Sequence, residues 1–148
     1  MYTEVDATIN RIKMADVEYK PKAATLKLGY EYNQYALEFH YSGGTSDDEV
    51  DLEKAIIDSQ MGLYFRINFD INDRSLIYLN FGAARSTLTT TVAAMETSKD
   101  YDDFSYSFGV EDYFPGVKFL NLTLEYSELY KDKDIKIEAL SLGVRYTF

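Results

Sequence analysis

The chain has no cysteine and no tryptophan, two prolines, a single histidine and no long apolar run. Each shortage removes a class of protein. Without cysteine there is no disulfide framework, no thiolate metal site and no thiol nucleophile, and the chain can cross an oxidising compartment unharmed. A membrane-spanning helix needs roughly 18 consecutive apolar residues; no segment approaches that, so a helical membrane protein is excluded. Basic charge is also scarce, 15 residues against 25 acidic ones for a formal net charge of -10. That balance argues against nucleic acid as a partner, because phosphate binding needs a cationic face. The 148 residues leave room for one domain, read as 1–148, since domains take on the order of 100–150 residues. Met1 is followed at once by Tyr2, Thr3, Glu4 and Asp6, where a signal peptide would show a basic stretch and an apolar run; the start is therefore read as that of a mature chain.

What the chain has in excess is aromatic: 14 Tyr and 9 Phe, in a sequence whose mean hydropathy is below zero. Tyrosine has an apolar body and a wet tip, which suits a boundary between hydrocarbon and water. The order of residues repeats with a period of two, the period at which side chains of a strand alternate between faces. Leu26, Leu28, Tyr30 and Tyr32 alternate with Lys27, Gly29 and Glu31; Tyr35, Leu37, Phe39 and Tyr41 with Ala36, Glu38, His40 and Ser42. The same holds for Met61 to Ile67, Ile77 to Ala83, Phe104 to Val110, Leu120 to Tyr126 and Leu140 to Phe148. A weaker strand with Val5, Ala7 and Ile9 against Asp6, Thr8 and Asn10 brings the count to eight.

Connections alternate in length. Asn33-Gln34, Asp70 to Ser75 and Pro115-Gly116 read as short turns. Arg11 to Lys22, Gly43 to Ile56, Thr87 to Asp103 and Glu128 to Lys136 read as long polar loops on the opposite rim. The fold class is thus all-β, an eight-stranded antiparallel up-and-down transmembrane β-barrel. A soluble barrel with an apolar interior is the competing arrangement, and volume decides against it. The apolar face carries about four bulky residues per strand, more than the interior of an eight-stranded barrel can hold. The other face is rich in Gly, Ala and Ser with charges of both signs. Lys27, Glu31, Glu38, His40, Arg66, Glu111, Glu125 and Arg145 are expected to form a charge network across the lumen, offsetting the cost of burying each charge alone. The expected lumen is plugged, with no open pore.

The run Leu140-x-Leu142-x-Val144-x-Tyr146-x-Phe148 resembles the terminal signature of bacterial outer-membrane barrels. The chain as a whole is similar in layout to the small eight-stranded family that includes OmpX, Ail and the OmpA membrane domain, in stretches such as Phe81-Gly82-Ala83-Ala84, Phe104-Ser105-Tyr106-Ser107-Phe108-Gly109 and Gly143-Val144-Arg145-Tyr146. That resemblance implies a bacterial outer-membrane location with both termini periplasmic, recognition of the last strand by the barrel-assembly machinery, contact with outer-membrane lipid and lipopolysaccharide, and a monomer. Unlike OmpA itself, the sequence ends at the barrel, so no cell-wall anchoring is expected.

Candidate chemistry is sparse. His40-Tyr41-Ser42 resembles the His and Ser two apart on a strand of an outer-membrane lipid A deacylase, but in that enzyme the groups face lipid near the C-terminus, whereas His40 has lumen parity on the third strand; a lumen histidine in a polar network is the expectation. The run Asp47, Asp48, Glu49, Asp51 and Glu53 lacks the central glycine of a calcium-binding EF-hand loop and reads as a solvated loop. Thr87 to Thr91 with Val92, Ala93 and Ala94 can continue strands beyond the membrane and offer an edge to a partner strand. Arg85, Lys99, Lys131, Lys133 and Lys136 are candidates for lipopolysaccharide phosphates. No Ser/His/Asp order, phosphate loop or metal-ligand spacing is present, and no cofactor is expected. The functional expectation is a non-enzymatic barrel whose outer loops serve surface interaction, adhesion or envelope integrity, through an extracellular protein ligand; a lipid A-modifying enzyme and a small-solute channel are the alternatives.

Overall fold

Segments that alternate bulky apolar with small or charged residues have no helical stripe to bury, and they pair as strands. The computed structural model describes residues 1–14, 17–46, 48–50, 53–92, 95–114, 116–117 and 119–148. Its strands are β1 (Tyr2–Met14), β2 (Val17–Tyr19), β3 (Lys22–Tyr32), β4 (Tyr35–Ser46), β5 (Asp48–Val50), β6 (Glu53–Asp70), β7 (Ser75–Val92), β8 (Met95–Tyr113), β9 (Leu120–Lys131) and β10 (Ile135–Thr147). Eight of them, all but the short β2 and β5, are joined antiparallel in chain order, and β10 pairs back onto β1 from Tyr2↔Thr147 to Met14↔Ile135. The sheet is a closed eight-stranded barrel, so its ladder has no open edge at membrane depth, where unpaired backbone groups could not be satisfied.

Local chemistry sets the short turns. Asn33 takes φ 56° between Tyr32 and Tyr35, a left-handed conformation that asparagine tolerates. Asn72 Oδ1 accepts from the backbone N–H of Arg74 and Ser75 at 2.8 and 2.9 Å. Gly116 takes φ 83°; Pro115 lies outside the described residues.

The opposite rim differs from the expected picture of long loops. Most of Thr87 to Asp103 is strand: β7 and β8 pair out to Val92↔Met95. β1 likewise runs to Met14, and β4 to Ser46. The threonines from Thr87 to Thr91 are β-branched, and such side chains fit a pleated ladder better than a loop. Within the acidic run, Asp47 and Asp51 lie outside the described residues, as do Ala93 and Ala94.

The faces sort as the alternation requires. Val5, Ile9, Leu28, Leu37, Phe39, Leu63, Phe81, Phe108, Leu124, Leu142 and Tyr146 are exposed on the outer wall, while Glu4, Lys27, Glu38, Arg66, Glu111, Glu125 and Arg145 are buried inside. Aromatics pack along the wall, with Phe65 at 5.6 Å from Tyr35 and 5.4 Å from Phe81 between ring centroids.

Candidate functional site: a layered lumen and a projecting hairpin

The interior is built in layers. At the rim of the short turns Tyr2, Tyr78, Arg66 and Arg145 interleave. The guanidinium of Arg66 lies 3.6 Å from the Tyr78 ring centroid and that of Arg145 3.4 Å from Tyr2, within cation–π range. Both tyrosines stand opposite a glycine of the next strand, Tyr2↔Gly29 and Tyr78↔Gly109. A Cβ at Gly29 would sit 2.1 Å from the Tyr2 ring and one at Gly109 2.2 Å from Tyr78. Only glycine leaves room for these rings to lie flat on the wall.

The eight charged residues expected in the lumen come together in two groups. Lys27 Nζ reaches Glu125 at 3.2 Å, with Glu4 and Asp6 at 2.9 Å each. In the second group, Arg66 binds Glu38 at 3.1 Å and Glu111 at 2.5 Å. Arg145 binds Glu111 at 2.7 Å and also Glu31, and His40 Nε2 lies 2.6 Å from Glu38 Oε2. Glu4, Asp6, Tyr2 and Tyr78 were not among the expected network residues. Glu4 and Asp6 share the inward parity of Thr8 and Asn10, a signal that the thin apolar face of the first strand obscured. Neutral side chains complete the set: Asn80 donates to Glu125 at 3.1 Å, Thr123 to Glu4 at 3.0 Å and Arg66 to Asn68 at 2.6 Å.

Above the charges lies a belt of hydroxyls. Thr8 bonds Thr25 and Ser141 at 2.9 Å, and Thr25 bonds Ser42 at 2.7 Å. His40 stacks on Tyr64 with centroids 4.4 Å apart. The hydroxyl of Ser42 is thus engaged by Thr25 and the imidazole by Glu38 and Tyr64, inside the barrel. A small cavity of about 30 Å³ separates this belt from the next layer, enough for a water or two.

The third layer is apolar, and the sequence reading did not foresee it. Ile12, Tyr19, Ala55, Ile57, Leu88, Tyr101, Leu129 and Ile137 form a buried cluster inside the loop-side end, with Met14, Val17, Tyr130 and Ile135 packed against it. At the same height the outer wall turns polar: Arg11, Lys13, Asp58, Asp100 and Asp102 are exposed. Polarity inverts along the strands, apolar outside and charged inside below, the reverse above. That inversion marks the loop-side limit of the hydrocarbon zone.

Beyond the inversion β6, β7 and β8 continue as a projecting sheet. β9 pairs with β8 from Tyr106 to Tyr113, and its end still flanks β8 above that, where Ser105 Oγ donates to the Glu128 carbonyl at 2.8 Å, the Lys131 N–H reaches Asp103 Oδ2 at 3.4 Å and Tyr101 packs on Tyr130; among the described residues Met95 to Lys99 has a ladder to β7 and none on its other side. Arg85 grips Asp102 through two bonds of 2.6 and 2.9 Å, which holds the Asp102 carboxyl below its usual range. Lys99 lies 5.3 Å over Tyr101, Lys136 binds Glu128 and Glu138 at 3.1 and 2.7 Å, and Lys131 and Lys133 are exposed. On β10, Leu140, Leu142, Val144 and Tyr146 all face outward, and Phe148, just past the strand, stacks on Tyr146 at 6.1 Å. Among the described residues no group of three or more His, Asp or Glu is placed to hold a metal ion.

A closed barrel with a greasy wall and an ionised core is the architecture of outer-membrane proteins, and the profile of the outer membrane protein beta-barrel domain matches residues 1–148. The chain belongs to that family. Among solved structures, this outer-membrane barrel is similar to Neisserial surface protein A, with 18% identity over 99% of this chain and 96% of that one, at TM-score 0.71. It is similar to Ail, the attachment invasion locus protein of Yersinia pestis, at 18% identity, 99% and 97% coverage and TM-score 0.73, and to the N-terminal β-barrel domain of Pseudomonas aeruginosa OprF at 14%, 98% and 97%, and 0.62. Identities this low speak for the shared fold. Comparison with curated protein sequences finds no match.

Proposed function

We propose that this outer-membrane barrel is a non-enzymatic surface-interaction protein, and that the unpaired edge of β8 is where an extracellular protein adds a strand. The observation that carries this reading is the stretch Met95 to Lys99, which pairs with β7 on one side and has no strand ladder on the other. Its outward N–H and C=O groups form a ready template for β-augmentation. Glu96 and Lys99 along it, with Asp100 next to them, keep the edge from pairing indiscriminately, as edge charges do.

In the cell, the short-turn rim and both termini face the periplasm, and the hairpin faces outward. Phospholipid and lipopolysaccharide bathe the outer wall. The outward run Leu140, Leu142, Val144, Tyr146 and Phe148 is read by the barrel-assembly machinery, and the folded chain is a monomer. Ail is named for attachment and invasion, and an adhesive role here is consistent with a hairpin of that reach.

The test replaces residues 89–98 by Asn-Gly, closing the hairpin at Leu88↔Lys99, which removes the edge and leaves the barrel ladder below it. Bacteria displaying the intact chain are expected to attach to protein-coated surfaces above background, and those displaying the shortened chain only at background. Equal attachment by both would remove the edge from the mechanism. Increased detergent sensitivity on loss of the whole chain would then favour envelope integrity.

A further inference from the structure

The hairpin that carries the free edge of β8 has two unlike faces. Its ladder sets Thr91 opposite Glu96, Thr89 opposite Ser98, Thr87 opposite Asp100 and Arg85 opposite Asp102, so these side chains share the outward face, where β6 adds Asp58 beside Thr89. Arg85 is the one cation of that face among the described side chains, and Asp102 occupies it through two bonds. Thr87 donates to Asp100 at 2.7 Å and Thr89 to Asp58, but a hydroxyl carries no charge to set against a carboxylate. Asp58, Glu96 and Asp100 therefore stand without an ion pair among the described residues. Met95, Thr97 and Lys99 alternate onto the inner face. There Met95 is 74% exposed, and the Lys99 ammonium lies over the Tyr101 ring.

A strand added beside Met95 to Lys99 continues the pleat of β7 and β8, so its own side chains alternate between these two faces. Across a strand pair, opposite charges stabilise and like charges destabilise. A Lys or Arg of the incoming strand is thus favoured on the outward face, next to Glu96 and Asp100, and disfavoured on the inner face, next to Lys99. An uncharged or apolar side chain suits the inner face, where it covers Met95. An acidic strand meets uncompensated carboxylates on the outward face.

We propose that the segment this edge recognises is a cationic amphipathic strand of an extracellular protein, with Lys or Arg at every second position and apolar or uncharged residues between. The inference rests on the reading of the β8 edge as a docking site and adds to it a selection by charge. The net charge of -10 works in the same direction, steering a cationic segment toward the chain before contact.

The experiment titrates the full chain, in an uncharged detergent, with short end-capped peptides. One alternates Lys with Thr and Val, one alternates Glu with the same residues, and one has the composition of the first with its lysines gathered together. Fluorescence anisotropy of the labelled peptide reports affinity, and amide hydrogen exchange reports which backbone is covered. The alternating Lys peptide is expected to bind about fivefold more tightly than the Glu peptide, the scale of two exposed cross-strand ion pairs. It should slow exchange across Met95 to Lys99 and weaken as salt is added. Glu96 and Asp100 are exposed, so Glu96→Lys with Asp100→Lys leaves the barrel folded, checked by its heat-dependent shift on a gel, and should reverse the preference. Equal affinity for the Lys and Glu peptides, equal affinity for the peptide with gathered lysines, or an unchanged preference in the double variant would each overturn the cationic strand. In those cases, exchange that still slows across Met95 to Lys99 leaves the edge as a docking site without charge selection. Exchange that slows with none of the peptides, or undiminished binding to the shortened-hairpin chain, removes the docking site and the inference together.

Discussion

Lys27 sits among Glu4, Asp6 and Glu125 with almost no contact with solvent. A buried ion pair contributes little net stability over an apolar replacement of both partners, yet removing one partner strands the other at a cost of about 3–5 kcal/mol. Lys27→Met removes the shared cation of three carboxylates and should lower unfolding stability by at least that amount in urea titrations followed by gel shift; a loss under about 1 kcal/mol would mean that water already solvates the site. Gly109→Val tests the other half of the packing. Its side chain would meet the Tyr78 ring and lift it from Arg66, so folding yield should fall, and Tyr78→Leu in the same chain should restore part of it. His40→Ala addresses the enzymatic alternative: lipid A from cells carrying it should be identical to lipid A from cells carrying wild type, and altered acylation would reinstate a catalytic histidine. At this scale the alternation was enough to tell which charged residues point inward, Lys27, Glu38, Arg66 and Arg145 among them. It did not give away partners. Pairing of Arg145 with Glu31, 114 residues apart, depends on barrel closure, which no local pattern encodes.

Strands carry the next level, and there the sequence was legible below the polarity inversion and misleading above it. Below, bulky and small residues alternate cleanly. Above, the inward set Ile12, Ile57, Leu88, Tyr101 and Ile137 is mixed with Arg11, Lys13, Asp58, Asp100 and Lys136, which looks like loop composition when read without knowing that the outside has become aqueous. Bulges between Ile57 and Ser59 and between Ile137 and Glu138 add an extra residue at that height and break the period-two count. The consequence is an apolar stopper of the kind found in soluble proteins, resting on a membrane barrel. Leu88 is 2% exposed at its centre, so Leu88→Ala should cost about 2–5 kcal/mol through lost burial and a cavity, measured as a lower urea midpoint with an unchanged slope. Val5→Ala on the lipid-facing wall should cost much less, because hydrocarbon fills the space left. Equal losses at both positions would mean that the upper cluster is not packed as described.

At the scale of the whole molecule, two barriers stand in series between the rims. The ionised layer is filled by Arg66, Tyr2, Tyr78 and Lys27, each no more than 1% exposed. The apolar stopper, built mainly of Ile, Leu and Ala side chains, offers little to replace a hydration shell, and moving an ion into such surroundings costs many kcal/mol. Ion flow must pass both, and neither opens without displacing packed side chains. Purified protein in planar bilayers should therefore show no resolved conductance. Replacing Ile12, Ile57, Leu88 and Ile137 together by serine wets the stopper and leaves the charged layer intact, so that variant, if folded by gel shift, should also stay silent. Steady channel openings in the serine variant alone would show that the stopper is the sole seal. Openings in the wild type would show that the lumen breathes, and would replace the proposed surface-contact role with that of a pore.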